Sequence, residues 1–153
     1  MTEYERMRTY YVMTKMDSNV VLFKVNAESL LDAKDKVNEY CAKRRLTCYA
    51  LKGFTESMLN EVPYAITTIK CGDGKSSRLI GLSDLSELKS LIKELREEYH
   101  DCSVVARVTQ LSEVELEIIR FYELHRGYDL EKSVEVAKAI ASNVLELPGG
   151  GTG

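Results

Sequence analysis

The stretch TYYVMTK-MDSN-VVLFKV, residues 9–25, determines how the fold of this chain begins. Two runs rich in β-branched and aromatic residues favour strands, and the polar segment between them, residues 16–19, has the composition of a turn. The pattern predicts a β-hairpin of residues 9–15 and 20–25. Tyr10 and Tyr11 must then face opposite sides of the first strand, so we expect at least one ring on the outer sheet face or at a partner interface.

A helix and a third strand are predicted to complete this first unit. Apolar residues recur at helical spacing over residues 27–45, and Asn26 offers a side-chain oxygen as the N-cap. The cations at residues 43–45 suit the negative end of the helix dipole. Residues 46–52 follow as a strand that we expect to end at Gly53. The first unit is therefore predicted to be ββαβ.

The same order of elements recurs after a connector, residues 53–63, in which residues 55–60 are predicted to form a short helix. Residues 64–71 read as a strand, 72–77 as a turn and 78–82 as the return strand. Ser83 is expected to cap the next helix, and residues 103–109 form the sixth strand. Equivalent positions lie 54 to 57 residues apart, which fits an internal duplication. Because ββαβ units are common, two copies without duplication are an equal alternative.

The last third of the chain predicts a helical hairpin over residues 111–147. Ser112 to Glu115 has the form of a capping box, Gly127 stands where a helix-ending glycine belongs, and Asp129 caps the second helix. The predicted fold class is α+β: two ββαβ units with an antiparallel-rich sheet and helices on one face, plus this hairpin. The predicted domains are residues 1–110, with units at about 9–52 and 64–109, then 111–147, and a glycine-rich tail, 148–153.

Composition sets the class of protein. The chain has 153 residues, a net charge of −3 and 44% hydrophobic residues, which matches one globular domain. Its N-terminus lacks the apolar core of a secretory signal, and its longest apolar run, residues 20–23, is too short to span a membrane. We therefore expect a cytoplasmic protein without membrane contact.

The chain has four cysteines, an even count that would allow pairing, but the expected compartment is a reducing one. A reducing compartment predicts that Cys41, Cys48, Cys71 and Cys102 are free thiols. No pair has C-x-x-C spacing, and neither a metal site nor a cofactor is expected.

Three local patterns resemble chemical motifs. The run Gly72 to Ser76 contains Gly-Lys-Ser but lacks the first glycine of a phosphate-binding loop, so it is interpreted as a hairpin turn. Lys75 and Arg78 leave that turn basic and are a weak candidate anion site. His100, Asp101 and Cys102 supply a base, an acid and a thiol, but sequence neighbours seldom face one another in a catalytic geometry. No catalytic residue is therefore predicted. A small enzyme ranks third among the hypotheses for the function of the chain.

The segment LSEVELEII, residues 111–119, resembles the opening of the helix-turn-helix of response-regulator-type transcription factors. The resemblance continues through Gly127 into residues 131–140 and covers about a quarter of the chain. It implies DNA binding through the hairpin, the second alternative. No third, base-reading helix follows, and residues 111–153 carry 8 acidic against 4 basic side chains, which repels phosphates. Nucleic acid is therefore not the expected partner.

The surplus of apolar surface on the hairpin favours a binding function. Several apolar residues lie outside the main apolar stripes of the two helices: Leu116, Ile119, Leu124 and Val136. One sheet face does not readily cover this additional apolar surface. With Tyr10 and Tyr11 they form the predicted interface of a homo-oligomer. The leading hypothesis is a non-enzymatic binding or regulatory protein that acts through protein contacts or a small ligand at a subunit boundary.

Overall fold

The computed structural model of the chain describes residues 7–148 and has the predicted α+β fold. The contacts divide the chain into two compact units. Among the described residues, the first combines residues 7–59 with residues 113–148, and the second consists of residues 60–112. The first unit is thus built from two separate segments of the chain.

The first unit begins with the predicted hairpin. Strand β1 (Arg8–Met16) pairs antiparallel with β2 (Asn19–Ala27) across a two-residue turn, in which Asp17 adopts a left-handed φ of 57°. Helix α1 (Leu30–Lys43) and strand β3 (Cys48–Thr55) follow, and a 3-10 helix spans Glu56–Leu59. β3 pairs with the other side of β1, so the first strand lies in the middle of the sheet.

The C-terminal hairpin belongs to the same unit. Helix α3 (Glu113–His125) ends at Gly127, whose φ of 64° lets the Tyr128 N–H donate back to the Tyr122 carbonyl at 3.2 Å. Helix α4 (Leu130–Ser142) is capped by Asp129, which accepts from the Lys132 N–H at 2.8 Å. Both local predictions are confirmed. A short strand β7 (Leu145–Glu146) then pairs parallel with β2 as the fourth strand.

Apolar residues cover both faces of the first sheet. On one face the core cluster joins the sheet to α1; it consists of Tyr10, Val12, Phe23, Val25, Ala27, Ala33, Val37 and Cys41. On the other face, the buried Tyr122 hydroxyl accepts a hydrogen bond from the Val20 N–H at 2.9 Å. Lys52 of β3 pairs with Glu117 of α3 at 3.3 Å on the same unit. The hairpin therefore packs on the sheet of its own chain.

The second unit repeats the strand order with fewer elements. Strand β4 (Val62–Cys71) lies between β5 (Gly74–Gly81) and β6 (Ser103–Leu111), both antiparallel to it. Helix α2 (Glu87–Glu98) packs on one face through Ile69, Leu95 and Val104. The opposite face of this sheet is exposed at Val105, which is 61% exposed, and buried at Ile66, which is 1% exposed.

Several predicted boundaries are wrong. Asn26 lies inside β2, and Ser29 caps α1 by accepting from the Asp32 N–H at 3.0 Å. Gly53 lies within β3 and does not end it. Ser83 precedes α2 by several residues, and the position before that helix, Ser86, makes no side-chain cap bond. The hairpin helices end at Ser142, not at residue 147, and the glycines from residue 149 lie outside the described residues.

The free-thiol prediction is also wrong, because all four cysteines form disulfides. Cys41 at the end of α1 bonds to Cys48 at the start of β3, with Cα atoms 5.7 Å apart. Cys71 bonds to Cys102, with Cα atoms 4.6 Å apart. These two residues lie one position beyond the register pair Lys70–Ser103, so strand pairing brings them together.

Candidate functional site

The residues of the predicted interface lie at different depths. Tyr10 is 7% exposed under α1, and Ile119 is 1% exposed. Tyr11, Leu116 and Val136 are half-buried, whereas Leu124 is 78% exposed at the end of α3. No partner chain is present, and the interface stays a prediction.

The candidate anion residues of the second unit are not brought together. Lys75 and Arg78 stand three positions apart on β5, so their side chains leave opposite faces of the strand. Arg78 instead approaches the Tyr99 hydroxyl at 3.4 Å. The turn between β4 and β5, with Gly72 at a φ of 61°, confirms the predicted hairpin, but it has only residues 72–73, and residues 74–77 of the predicted turn belong to β5.

The His100, Asp101 and Cys102 run does not form a nucleophilic centre. His100 Nε2 lies 3.3 Å from Asp101 Oδ2, and both side chains are more than three-quarters exposed. The Cys102 sulfur is bonded to Cys71, so no thiolate is present to attack a substrate.

A cleft in the first unit brings together residues that the sequence did not single out. It has a volume of about 470 Å³, within the range of small-ligand sites. Its walls come from the β1–β2 turn, from β3 and from the end of α3. The lining residues are Lys15, Asp17, Ser18, Tyr49, Leu51, Phe121, His125 and Arg126. We call it the basic-aromatic cleft.

Arg126 is held firmly in this cleft. Its Nη1 donates to the Ser18 carbonyl oxygen and to Asn19 Oδ1, both at 2.8 Å. Its Nη2 donates to the Tyr128 hydroxyl at 3.2 Å. A guanidinium has five N–H donors, and these bonds use three of them. These bonds do not use the N–H on Nε or the second N–H on Nη2.

The fold explains why Arg126 has this position. It follows the last turn of α3, directly before Gly127, and its N–H donates to the Tyr122 carbonyl at 3.1 Å. Its guanidinium lies 5.2 Å from the centre of the Tyr128 ring, which stacks on Tyr122 at 5.4 Å. The Arg126 side chain thereby links the connection between α3 and α4 to the β1–β2 turn.

Basic residues outnumber acidic residues in the lining of the cleft. Lys15 and Arg126 are cationic, His125 adds a positive charge when protonated, and Asp17 is the one acidic lining residue. Within residues 7–148, none of the three basic side chains is in ion-pair contact with a carboxylate. In a chain with a net charge of −3, this local excess of basic side chains favours an anion over a cation in the cleft.

Aromatic rings form the other part of the lining. Tyr49 is 51% exposed, and the Lys15 ammonium lies 5.9 Å from its ring centre. The Phe121 and His125 rings lie 4.8 Å apart and are tilted by 45°. A ligand in the cleft can therefore contact cations and ring faces at once.

Other chemical features are weaker. A surface groove along α2 is lined by Lys89, Ile92, Lys93, Arg96, Glu97 and His100, which all belong to that helix and its end. Across the described part of the chain, His, Cys, Asp and Glu side chains form no group of three that could hold a metal ion. None of the helices between residues 7 and 148 is long and apolar enough to cross a membrane.

The chain was compared with protein-family models, with curated proteins and with solved structures, and no match was found in any of the three.

Proposed function

We propose that this protein is a non-enzymatic binding protein that holds a small anionic ligand in the basic-aromatic cleft. The observation that carries the proposal is the state of Arg126. Three hydrogen bonds fix its guanidinium, and two donors remain. A fixed donor binds more tightly than a mobile one, because less side-chain entropy is lost on binding.

The cleft also supports a regulatory role. Its walls come from residues 15–18, 49–51 and 121–126, which belong to the sheet and to the hairpin that packs on it. A ligand that binds only the folded arrangement stabilises it in proportion to its concentration relative to Kd. Occupancy of the cleft would therefore strengthen the attachment of the hairpin.

Titration with a simple acid and its uncharged analogue tests the proposal. We expect hexanoate to shift the backbone NMR signals of residues 15–18, 49 and 125–126, and hexanamide to bind at least about tenfold more weakly, because charged hydrogen bonds are the stronger ones. Lys15→Gln should weaken hexanoate by about fivefold. Lys93→Gln, the same charge change on α2, is the matched control. Equal binding of acid and amide would contradict the proposal.

The alternatives have less support. DNA binding through the hairpin would use helices whose residues Ile118, Ile119 and Ala137 are buried and whose segment is acidic. An enzyme that uses Cys102 would need a free thiol. Self-association remains a proposal that light scattering at tens of micromolar tests. Self-association was predicted from apolar surface on the helical hairpin, and the packing of the hairpin on the sheet covers part of that surface.

The disulfides bear on the cellular setting. The cytoplasmic prediction came from the absence of an export signal, and the free-thiol prediction followed from it, whereas two disulfides favour an oxidising compartment. Alkylation of the protein isolated without reductant tests this: no modified cysteine supports an oxidising compartment, and four modified cysteines support the cytoplasm.

A further inference from the structure

The basic-aromatic cleft is larger than a simple anion requires. A site for one water needs about 10–15 Å³ of the same kind of volume, and the cleft offers about 470 Å³. A small inorganic anion would leave most of that space to water and would not reach the rings of Tyr49 and Phe121 as well as the cations. A ligand that fills the cleft and contacts these rings carries an apolar part beside its charge.

The charge of the cleft selects the kind of anion. With His125 neutral, Lys15 and Arg126 contribute two positive charges and Asp17 one negative charge, which leaves a net charge of +1. A carboxylate brings one negative charge, whereas a phosphate ester brings between about 1.5 and 2. An Nε–H and an Nη2–H on one edge of a guanidinium match the two oxygens of a carboxylate, and this is the pairing that we assign to Arg126.

The strand that borders the cleft argues against an extended peptide. β3 is an edge strand, and its Tyr49 and Leu51 line the cleft. The Ala50 N–H between them already donates to Asn38 Oδ1 of α1 at 2.8 Å. An added strand would have to break this bond, so the edge is protected against pairing. A small molecule needs no such change.

We infer that the basic-aromatic cleft binds an aromatic monocarboxylate, with the carboxylate at Arg126 and Lys15 and the ring against Tyr49 and Phe121. This inference rests on the proposed function and adds the ligand class to it. Tyr49 contributes a ring face at a half-exposed position, where a ligand ring can stack without displacing core residues.

Matched pairs of probes separate the claim that the cleft binds an anion from the claim that this anion is an aromatic monocarboxylate. Calorimetry or NMR titration compares 3-phenylpropanoate with hexanoate, with 3-phenylpropanamide and with phenyl phosphate. We expect 3-phenylpropanoate to bind about fivefold more tightly than hexanoate and about tenfold more tightly than the amide. Phenyl phosphate should bind more weakly than 3-phenylpropanoate at pH 7.

Variants of cleft residues test where the ring and the carboxylate of the ligand bind. Tyr49→Leu should remove the preference for 3-phenylpropanoate over hexanoate while hexanoate still binds, and Tyr49→Phe should restore the preference. Arg126→Lys keeps the charge but loses the paired donors, and we expect both acids to weaken by about tenfold. Lys93→Gln again serves as the control outside the cleft.

The outcomes are distinct. If hexanoate binds as tightly as 3-phenylpropanoate, or phenyl phosphate binds more tightly, the aromatic monocarboxylate assignment is wrong and the anion site stands. If neither acid binds better than its amide, the proposed function fails and this inference fails with it.

Discussion

The two ββαβ units share a strand order, yet they complete their cores in different ways. In each, the first strand is central and the second and third strands pair on either side of it. The first unit adds β7 and covers its second sheet face with α3 and α4. Within residues 7–148, the cluster under α1 has eight buried side chains and the cluster under α2 has three, while Ala65, Ile66 and Leu111 of the second unit are buried outside that cluster. Similar topology therefore does not imply similar internal support.

The disulfides of the two units differ in burial and in the length of the loop that they close. Cys41 is 2% exposed in the core of the first unit, and its disulfide closes a short loop with a sequence separation of 7. Cys71 is exposed, and its disulfide spans a separation of 31. A small unit with one helix buries little apolar surface, and such domains commonly depend on disulfides. We therefore expect the second unit to depend on its disulfide more than the first unit does.

The largest expected effect is the loss of the second disulfide. From loop length, Cys71→Ala with Cys102→Ala should lower the stability of the second unit by about 4 kcal/mol. The matched change in the first unit, Cys41→Ala with Cys48→Ala, should remove about 2 kcal/mol from the cross-link itself. Denaturant unfolding monitored separately in each unit by NMR measures both. A larger loss from the first pair would reverse the comparison.

The next largest effect tests whether the hairpin belongs to the core of the first unit. Ile118 of α3 is fully buried, so Ile118→Ala should cost about 3 kcal/mol through lost burial and a cavity. Leu124→Ala on the same helix, 78% exposed, is the control and should change stability by less than about 0.5 kcal/mol. Equal small losses on thermal unfolding would show that the hairpin contributes little to this core.

Helix caps offer a smaller test of the same comparison. Ser29 accepts a hydrogen bond from the Asp32 N–H at the start of α1, so Ser29→Ala should cost about 1 kcal/mol. Ser86 occupies the corresponding position before α2 but makes no cap bond. We expect a smaller loss for Ser86→Ala by urea unfolding. A larger loss at Ser86 would contradict the assignment of the caps.

The smallest effect concerns pH. The Ser86 hydroxyl, followed by the Ser86 N–H, donates to the Asp84 carboxylate and lowers its pKa. A lowered pKa in the folded state stabilises the fold above the unfolded pKa, and this contribution is lost as pH falls through the folded pKa. NMR titration should show the Asp84 pKa rising toward its ordinary value in Ser86→Ala. An unchanged pKa would exclude the Ser86 hydroxyl as its main cause, because the alanine variant keeps the Ser86 N–H.

Local sequence signals predicted much of the fold. The two hairpins, the helix-ending glycine at 127 and the cap at Asp129 depend on neighbouring residues, and they are confirmed. The end of β2 was missed because it is set by the pairing of Arg8 with Ala27, which lies beyond the local turn pattern. The cysteine pairs were missed because the compartment was inferred first, and strand register places Cys71 beside Cys102.

The basic-aromatic cleft could not be found from the sequence. Lys15 and Arg126 lie more than 100 positions apart, and only the packing of the hairpin on the sheet brings them together. No local spacing marks such a site. The one available signal was the pair His125 and Arg126 before a helix-ending glycine, which indicates basic side chains at the end of a helix but not what they face.

Native-state hydrogen exchange, with and without a thiol reductant, tests most directly whether the first unit is supported by its core and the second by its cross-link. With both disulfides intact, we expect slow exchange of the central amides of β1 and β4. After reduction, amides of β4 and β6 should exchange much faster, while those of β1 and β2 stay protected by the packing on both sheet faces. Equal loss of protection in the two units, or earlier loss in β1 and β2, would contradict this account.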